Sequence, residues 1–294
     1  MRKRITLLLL SVAVLAATAA VSQSAARPTA SSAALASCTP GALNLVTDGQ
    51  LTIGTDNPAY PPWFAGGSKS SWKINDPATG KGYESAVAYA VARKLGFAKS
   101  AVKWTYIPFN KAFAPGPKSF DFDINQISIT PARAKVVSFS VSYYDVNQAI
   151  VVKKGTKIAG IRSIKGLKQF KLGAQLGTTS YAFIASTIKP SQKPAVFPSN
   201  AGAVLALKNK QIDGLVVDLP TAFYVTAVQV PGSKILGQFE NKGGATDRFG
   251  GVLAKHSPLT ACVNRALASL KRNGTLKRIQ QQWLAKATGA PVLK

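Results

Sequence analysis

The chain has 294 residues, 46% of them hydrophobic and 16% charged, enough apolar side chain for a packed core on the scale of two domains, which excludes wholesale disorder. Its 37 Lys and Arg stand against 11 Asp and Glu, a formal net charge of +26. One His and two Cys exclude a clustered Cys/His zinc site, and any acidic chemistry must come from a short set of carboxylates.

In chain order, Met1-Arg2-Lys3-Arg4 precedes a largely apolar run over residues 5–21 and then small residues. That is the pattern of a secretory signal, assigned to residues 1–26, with Ala17-Thr18-Ala19 and Ser24-Ala25-Ala26 as alternative cleavage sites. An uncleaved anchor is the alternative, although Thr6, Ser11 and Thr18 interrupt a run barely long enough to span. Residues 27–44 read as a flexible tether rich in Ala, Ser, Thr and Pro. It contains Leu35-Ala36-Ser37-Cys38, which looks like a lipobox but stands well behind the apolar run. Cys38 is therefore either lipidated or, more simply in an exported chain, bonded to Cys262.

Leu51-Thr52-Ile53-Gly54-Thr55 reads as a strand, followed by a turn-rich stretch over 57–82. Val87, Val91 and Leu95 have helical spacing and predict a helix over 84–95, stopped by Gly96. Strands are predicted over 102–107, from Phe122 through Ile124, Ile127 and Ile129, and over 149–152. A second unit then begins. A strand over 171–175 enters the turn Gly177-Thr178-Thr179-Ser180, a helix covers 201–207, and a buried strand over 214–218 ends in Asp218 before Pro220. A short strand covers 249–253. Two helices close the chain. Ser257-Pro258 supplies the N-cap and first position of one, Asn273-Gly274 ends it, and Leu276, Ile279, Trp283 and Leu284 line the other. Strands alternating with helices predict an α/β protein with largely parallel sheets. Ligands of such sheets sit beyond the carboxyl ends of strands, which selects Asp56, Ser128-Ile129-Thr130, Gly177-Thr178-Thr179 and Asp218.

Seven motifs stand in one order: Thr55-Asp56 with Tyr60-Pro61-Pro62-Trp63; Gly82-Tyr83-Glu84; Ser128-Ile129-Thr130-Pro131-Ala132-Arg133-Ala134; Phe139-Ser140 with Tyr143-Tyr144; Gly177-Thr178-Thr179; Asp218-Leu219-Pro220; and Asn273-Gly274-Thr275 before Trp283. In this the chain resembles the family 3 extracellular solute-binding proteins, the polar amino-acid receptors of ABC importers. The resemblance implies a two-lobed periplasmic-binding-protein-like fold of type II, hinged by two crossing strands near residues 148–152 and 249–252. Lobe 1 would comprise residues 45–147 plus 250–294, and lobe 2 residues 148–249. It implies a monomer without cofactor or metal that is not an enzyme, takes an amino acid or similar small polar solute, and delivers it to the membrane permease of an ABC transporter. The location would be the periplasm, or the outer face of the cell membrane or cell wall.

The resemblance also implies the residue roles. Arg133 would grip the ligand carboxylate with its planar fork of donors, aided by Ser128, Thr178 and Thr179. Asp218 would take the ammonium. Asp56, Tyr60, Phe109 and Gln126, and with less support Trp63 and Asp123, would form the side-chain pocket. The chain departs from the family pattern in three places. Gly82-Tyr83-Glu84-Ser85-Ala86 lacks a second acid, Asn125-Gln126 replaces small residues, and Asp123 stands where an apolar strand residue is usual. A buried Asp costs several kcal/mol unless paired.

Removing residues 1–27 takes off four basic residues and no acid, leaving +22. The Lys and Arg are spread along the chain without a nucleic-acid motif, which argues against a nucleic-acid partner. They leave a solvated basic surface or an attraction to anionic envelope polymers or lipid headgroups. Two other functions stand beside the receptor: an exported cyclohexadienyl or arogenate-type dehydratase using Asp56, Asp123 or Asp218, and a sensor module of the same fold.

Overall fold

The structure is a computed structural model that describes residues 38–69, 71–240, 247–287 and 289–294. The expected signal segment and residues 27–37 of the tether lie outside the described residues.

Two five-stranded sheets organise the chain. In the first, β1 (Leu51–Thr55) lies between β2 (Val102–Tyr106) and β3 (Phe122–Asp123), parallel to both. Then come β12 (Val252–Leu253), antiparallel to its neighbours, and β4 (Ser138–Phe139). Every residue of β1 is buried, which explains its continuous apolar and β-branched sequence. In the second sheet the order is β10 (Ser233–Phe239), β6 (Gln148–Lys153), β9 (Gly214–Asp218), β7 (Leu172–Gln175) and β8 (Ala195–Phe197). Here β7 is parallel to β8 and β9, whereas β6 is antiparallel to β9 and β10. Both sheets are thus mixed rather than largely parallel. The antiparallel members β6 and β12 are the strands by which the chain enters one unit and re-enters the other.

The paired passages between the units are displaced a few residues N-terminal of the crossings expected at 148–152 and 249–252, overlapping them only at Phe249. They form a separate antiparallel ribbon of β5 (Tyr144–Val146) and β11 (Asp247–Phe249). Residues 148–152 are instead buried inside the second sheet, as the apolar run over 149–152 requires. Gly250 and Gly251 split the expected 249–253 strand, so that β11 serves the ribbon and β12 the first sheet.

Each sheet carries its own core. Helix Tyr83–Lys94 and the final helices Leu259–Arg272 and Thr275–Leu284 cover the first, burying Val87, Val91, Val263, Leu267 and Leu284. The expected cap of the first of these final helices is absent: neither Ser257 nor Pro258 provides a side-chain hydrogen bond to its start. Cys38 and Cys262 form a disulfide within this core, joining the described N-terminus to a helix 224 residues away. Burial against opposite faces of the second sheet gives two further clusters, one around Val151, Leu207 and Leu215 and one around Ile150, Leu167 and Val216.

The C-terminal residues do not stay with the first sheet. After Leu284 the chain reaches the second unit, where the amide of Leu293 donates to Gln238 O at 2.9 Å and the amide of Gln238 donates to Pro291 O at 2.7 Å. Leu293 is buried in the second unit's core, and its side chain and the Pro291 carbonyl lie close over Gly237, where a Cβ would collide with both. The expected lobe 1 range 250–294 thus contains a tail that packs with the other unit.

Candidate functional site

A cavity of ≈ 630 Å³ opens between the two units. Its wall includes Asp56, Tyr60, Trp63, Phe109, Gln126, Ser128 and Arg133 from the first unit and Thr178, Thr179 and Asp218 from the second. Nearly all the sequence-predicted site residues therefore meet in one place, at the carboxyl ends of β1, β7 and β9. Asp123 is the exception. It is fully buried behind the wall, close over Gly54, where a Cβ would come within 2.6 Å of Asp123 Oδ2. Neither of its oxygens has a hydrogen-bond partner among the described residues. Burial first, then Glu84 and Asp56, hold its carboxyl well above the usual range.

Arg133 sits in the short helix Pro131–Ala134, fixed by Thr130, whose hydroxyl accepts from the Arg133 amide at 3.2 Å. Its Nη1 donates to Ser128 O at 2.7 Å and its Nη2 to Gly177 O at 2.8 Å, so the guanidinium bridges the two units. Its plane lies over Phe113, 4.2 Å from the ring centroid. Burial lowers its pKa to about 10, against the pull of Asp247 and Asp218, so it stays cationic at neutral pH. Gly177 has φ +77 and lies against the Asn110 side chain, where a Cβ would collide. That close approach lets the turn of the second unit reach Arg133.

Thr178 is the residue that caps helix Thr179–Phe183: its hydroxyl accepts from the Tyr181 amide at 3.1 Å and donates to Gln175 O at 2.7 Å. The Thr179 hydroxyl stands 3.2 Å from Ser128 Oγ across the cleft and donates to Asp247 Oδ2 at 2.9 Å. Asp218 precedes helix Leu219–Tyr224 without capping it through its side chain. Gln148 Nε2 instead donates to Asp218 Oδ1 and Asp247 Oδ2, both at 2.7 Å, while Gln148 Oε1 accepts from Ser180 Oγ at 2.6 Å. Burial and then Asp247 push the Asp218 carboxyl up to about 8, despite the Gln148 bond and Arg133.

Aromatic groups close the cavity. Trp63 Nε1 donates to Thr221 Oγ1 at 3.1 Å, from one unit to the other, and the rings of Tyr60 and Tyr224 face each other at 6.1 Å. Asp56 accepts from the Asn57 amide at 2.8 Å, and burial raises its pKa against that bond and one from the Phe109 backbone.

Sequence reasoning missed two residues. Asp247 lies in a segment without a motif, and only its ribbon register beside Val146 brings it to the cleft. Glu84, read only as a motif residue at the start of the helix over 84–95, is completely buried beneath Gln126 of the cavity wall. Its carboxylate accepts from the Gln126 amide at 2.7 Å and from Gln126 Nε2 and the Tyr143 hydroxyl. Burial pushes Glu84 up to about 7. Gln126 has φ +49, a left-handed conformation that costs a non-glycine residue roughly 1 kcal/mol. Glu84 offsets that cost by taking both Gln126 donors. The signal was available in the replacement of a small residue at 126 together with an acid at 84. Five of the eleven acids, Asp56, Glu84, Asp123, Asp218 and Asp247, thus gather in the cleft or directly behind it. Among the described residues no group of three or more His, Cys, Asp or Glu is placed to hold a metal, and no helix is long and apolar enough to cross a membrane.

The sequence profile of the bacterial extracellular solute-binding proteins, family 3, matches residues 51–286. ABC transporter arginine-binding protein 1 of Escherichia coli (strain K12) is 31% identical over 171 residues, 56% of this chain and 67% of that protein. The arginine-binding extracellular protein ArtP of Bacillus subtilis (strain 168) is 27% identical over 69% of this chain and 77% of its own length. Among solved structures, an ancestral arginine-binding protein bound to glutamine superposes with a TM-score of 0.66 at 30% identity, covering 81% of this chain and 99% of that one. An ancestral amino acid-binding protein described as a precursor of cyclohexadienyl dehydratase gives 0.63 at 26% identity, covering 80% and 95%.

Proposed function

The chain belongs to the bacterial extracellular solute-binding proteins, family 3, and from that premise we propose that it captures a free α-amino acid between its two units and hands it to the permease of an ABC importer. The observation that carries this reading is that Arg133 and Asp218 line one cavity from opposite units, a cation on one side and on the other a carboxyl that an ammonium can draw into its ionised form. A zwitterion satisfies both groups only when the units are together, so ligand and closure stabilise each other. In this reading Arg133, Ser128 and Thr179 hold the α-carboxylate, with Thr178 fixing the turn. Asp218 takes the α-ammonium. Tyr60, Phe109 and Trp63 flank the side chain, Gln126 forms the floor, and Asp56 accepts from its far end.

Asp56 is the acid of the wall furthest from the α-clamp in role, and it favours a side chain rich in N–H donors, such as that of arginine or glutamine. The names of the relatives agree with that choice. The protein works without covalent chemistry, as a monomer outside the cytoplasmic membrane. A dehydratase would need an acid free to move a proton at the ligand, and among the expected candidates Asp123 is walled off from the cavity.

The test is thermal unfolding of protein refolded after stripping of bound solute, screened against the twenty amino acids and against prephenate and arogenate. A ligand at 100 times its dissociation constant stabilises by about 2.7 kcal/mol. We expect large shifts with arginine or glutamine. Shifts only with the cyclic acids, together with their turnover, would overturn the receptor reading.

A further inference from the structure

Residues 153–171 carry seven basic side chains and no acid, and the whole stretch between Asp145 and Asp213 lacks Asp and Glu while holding eleven Lys and Arg. The structure gives this bias a shape. Ile158, Ile161, Ile164, Leu167 and Phe170 recur every third residue and pack onto one face of the second sheet. Short 3-10 turns at Lys157–Gly160 and Lys165–Gln169 hold Ile158 and Leu167, with Ile161, Ile164 and Phe170 at their ends, and at three residues per turn such side chains fall in line. The alternate positions Arg162, Lys165, Lys168 and Lys171 form a second row, all exposed.

Neighbouring segments extend the row into a face. The amide of Ser191, between Lys189 and Lys193, donates to Lys168 O at 2.8 Å, and the amide of Ile164 donates to the carbonyl of Lys294 at 2.9 Å. Lys154 and Lys157 border it at the end of β6. The acid at its edge is Asp213, whose Oδ2 accepts from the Lys171 amide. The face stands away from the amino-acid site. Strand β6 starts in the cleft at Gln148 and ends at Lys153, about 17 Å away at ~3.3 Å per residue.

We propose that this face of the second unit docks on an anionic phospholipid membrane. Lysines dominate it, and the one arginine is folded back onto the carbonyls of Ala159 and Ile161. Compact ammonium charges without free guanidinium forks suit a diffuse negative surface better than a single cradled phosphate. Phe170, the aromatic within the row, packs inward and offers no platform for stacking bases, which disfavours nucleic acid. The basic and apolar start of the chain, residues 1–21, reads as a membrane-targeting segment, so the protein meets such a surface. The inference does not depend on which solute fills the cleft.

The experiment is sedimentation of the full chain with vesicles of phosphatidylglycerol and phosphatidylcholine, and with vesicles of phosphatidylcholine alone, at low and high salt. Wild type is compared with the variant Lys157→Gln/Lys165→Gln/Lys168→Gln/Lys171→Gln. A second variant removes as much charge from the first unit, Lys271→Gln/Arg272→Gln/Lys277→Gln/Lys286→Gln. We expect salt-sensitive binding to the anionic vesicles only. The first variant should lose at least a hundredfold in partitioning, at roughly fivefold per lysine, and the second should lose far less. If the first variant melts non-cooperatively, Lys165→Gln/Lys168→Gln alone replaces it, with a loss of roughly twenty-five-fold expected. Equal losses in both variants would reduce the effect to net charge and overturn the proposal. Binding to phosphatidylcholine alone would assign the attachment to the apolar segment and overturn it too. Retention by soluble polyglycerol phosphate without vesicle binding would replace the lipid by a polymer and equally refute the assignment.

Discussion

Arg133 is held by two carbonyls, one from each unit, before any ligand is considered. Its removal therefore costs both the ligand fork and a cross-cleft tie. We expect Arg133→Ala to weaken amino-acid binding by about 2–5 kcal/mol, the range for losing one partner of a buried charge pair, and titration calorimetry measures it. Asp218, raised to about 8 in the empty site, is largely protonated at neutral pH, and an ammonium ligand must draw it into the ionised form. Affinity should therefore rise with pH from 6 to 8 with proton release, while a des-amino ligand shows no rise from this group; calorimetry in two buffers of different ionisation enthalpy distinguishes them. Asp218→Asn should abolish the slope. For stability the sign is opposite. A carboxyl whose folded pKa lies above its unfolded value near 3.9 binds its proton more tightly when folded. The empty protein should lose stability as pH climbs from about 4 to about 8, with Glu84 contributing up to about 7. A melting midpoint that rises over that interval would contradict both assignments. Glu84→Gln keeps the shape and one acceptor oxygen but turns the other into a donor, so only one of the two Gln126 donors stays satisfied, and weaker ligand binding with a nearly unchanged melting midpoint is the expected result.

At the scale of elements, β1, β2, β6, β7 and β9 all fall where the sequence predicts strands. Helix Tyr83–Lys94 follows the spacing of Val87, Val91 and Leu95. Short elements were not legible. The ribbon of β5 and β11 consists of half-exposed polar and aromatic residues, and its pairing is set by two chain passages 100 residues apart, which no local pattern encodes. Arg133 and Asp218, proposed here as the clamp, were legible as cavity residues because each stands at or just past a strand end. Asp247 was not, because its role comes from Gln148 and Thr179, which the fold brings to it. The tail was misjudged for a related reason. Leu293 is a single apolar residue in a polar terminus, yet it is buried in the second unit. We expect Leu293→Ala to cost about 2–4 kcal/mol, read from denaturant unfolding; a loss below 1 kcal/mol would show that the tail is not anchored.

Over the whole molecule, one covalent tie and one non-covalent tie hold the ends in place. The disulfide pins the start of the described chain to the first unit, and the tail ties its end to the second. Closing so large a loop removes much unfolded-state entropy, and Cys262→Ser should cost roughly 4–5 kcal/mol. The larger organisation is electrical. A protein of net charge +26 has placed five of its eleven acids at or behind one cavity. Seen from a distance the molecule repels cations, and seen from the cavity it attracts them. At 0.1 M ionic strength the repulsion fades over about 10 Å, whereas contacts inside the cleft are screened much less. Arginine should accordingly associate faster as salt is added, and glutamine at an almost constant rate, with the fluorescence of Trp63 at the cavity wall as the stopped-flow signal. Uptake of a cationic nutrient by such a receptor would then be limited by the approach in dilute water and by the grip in brine.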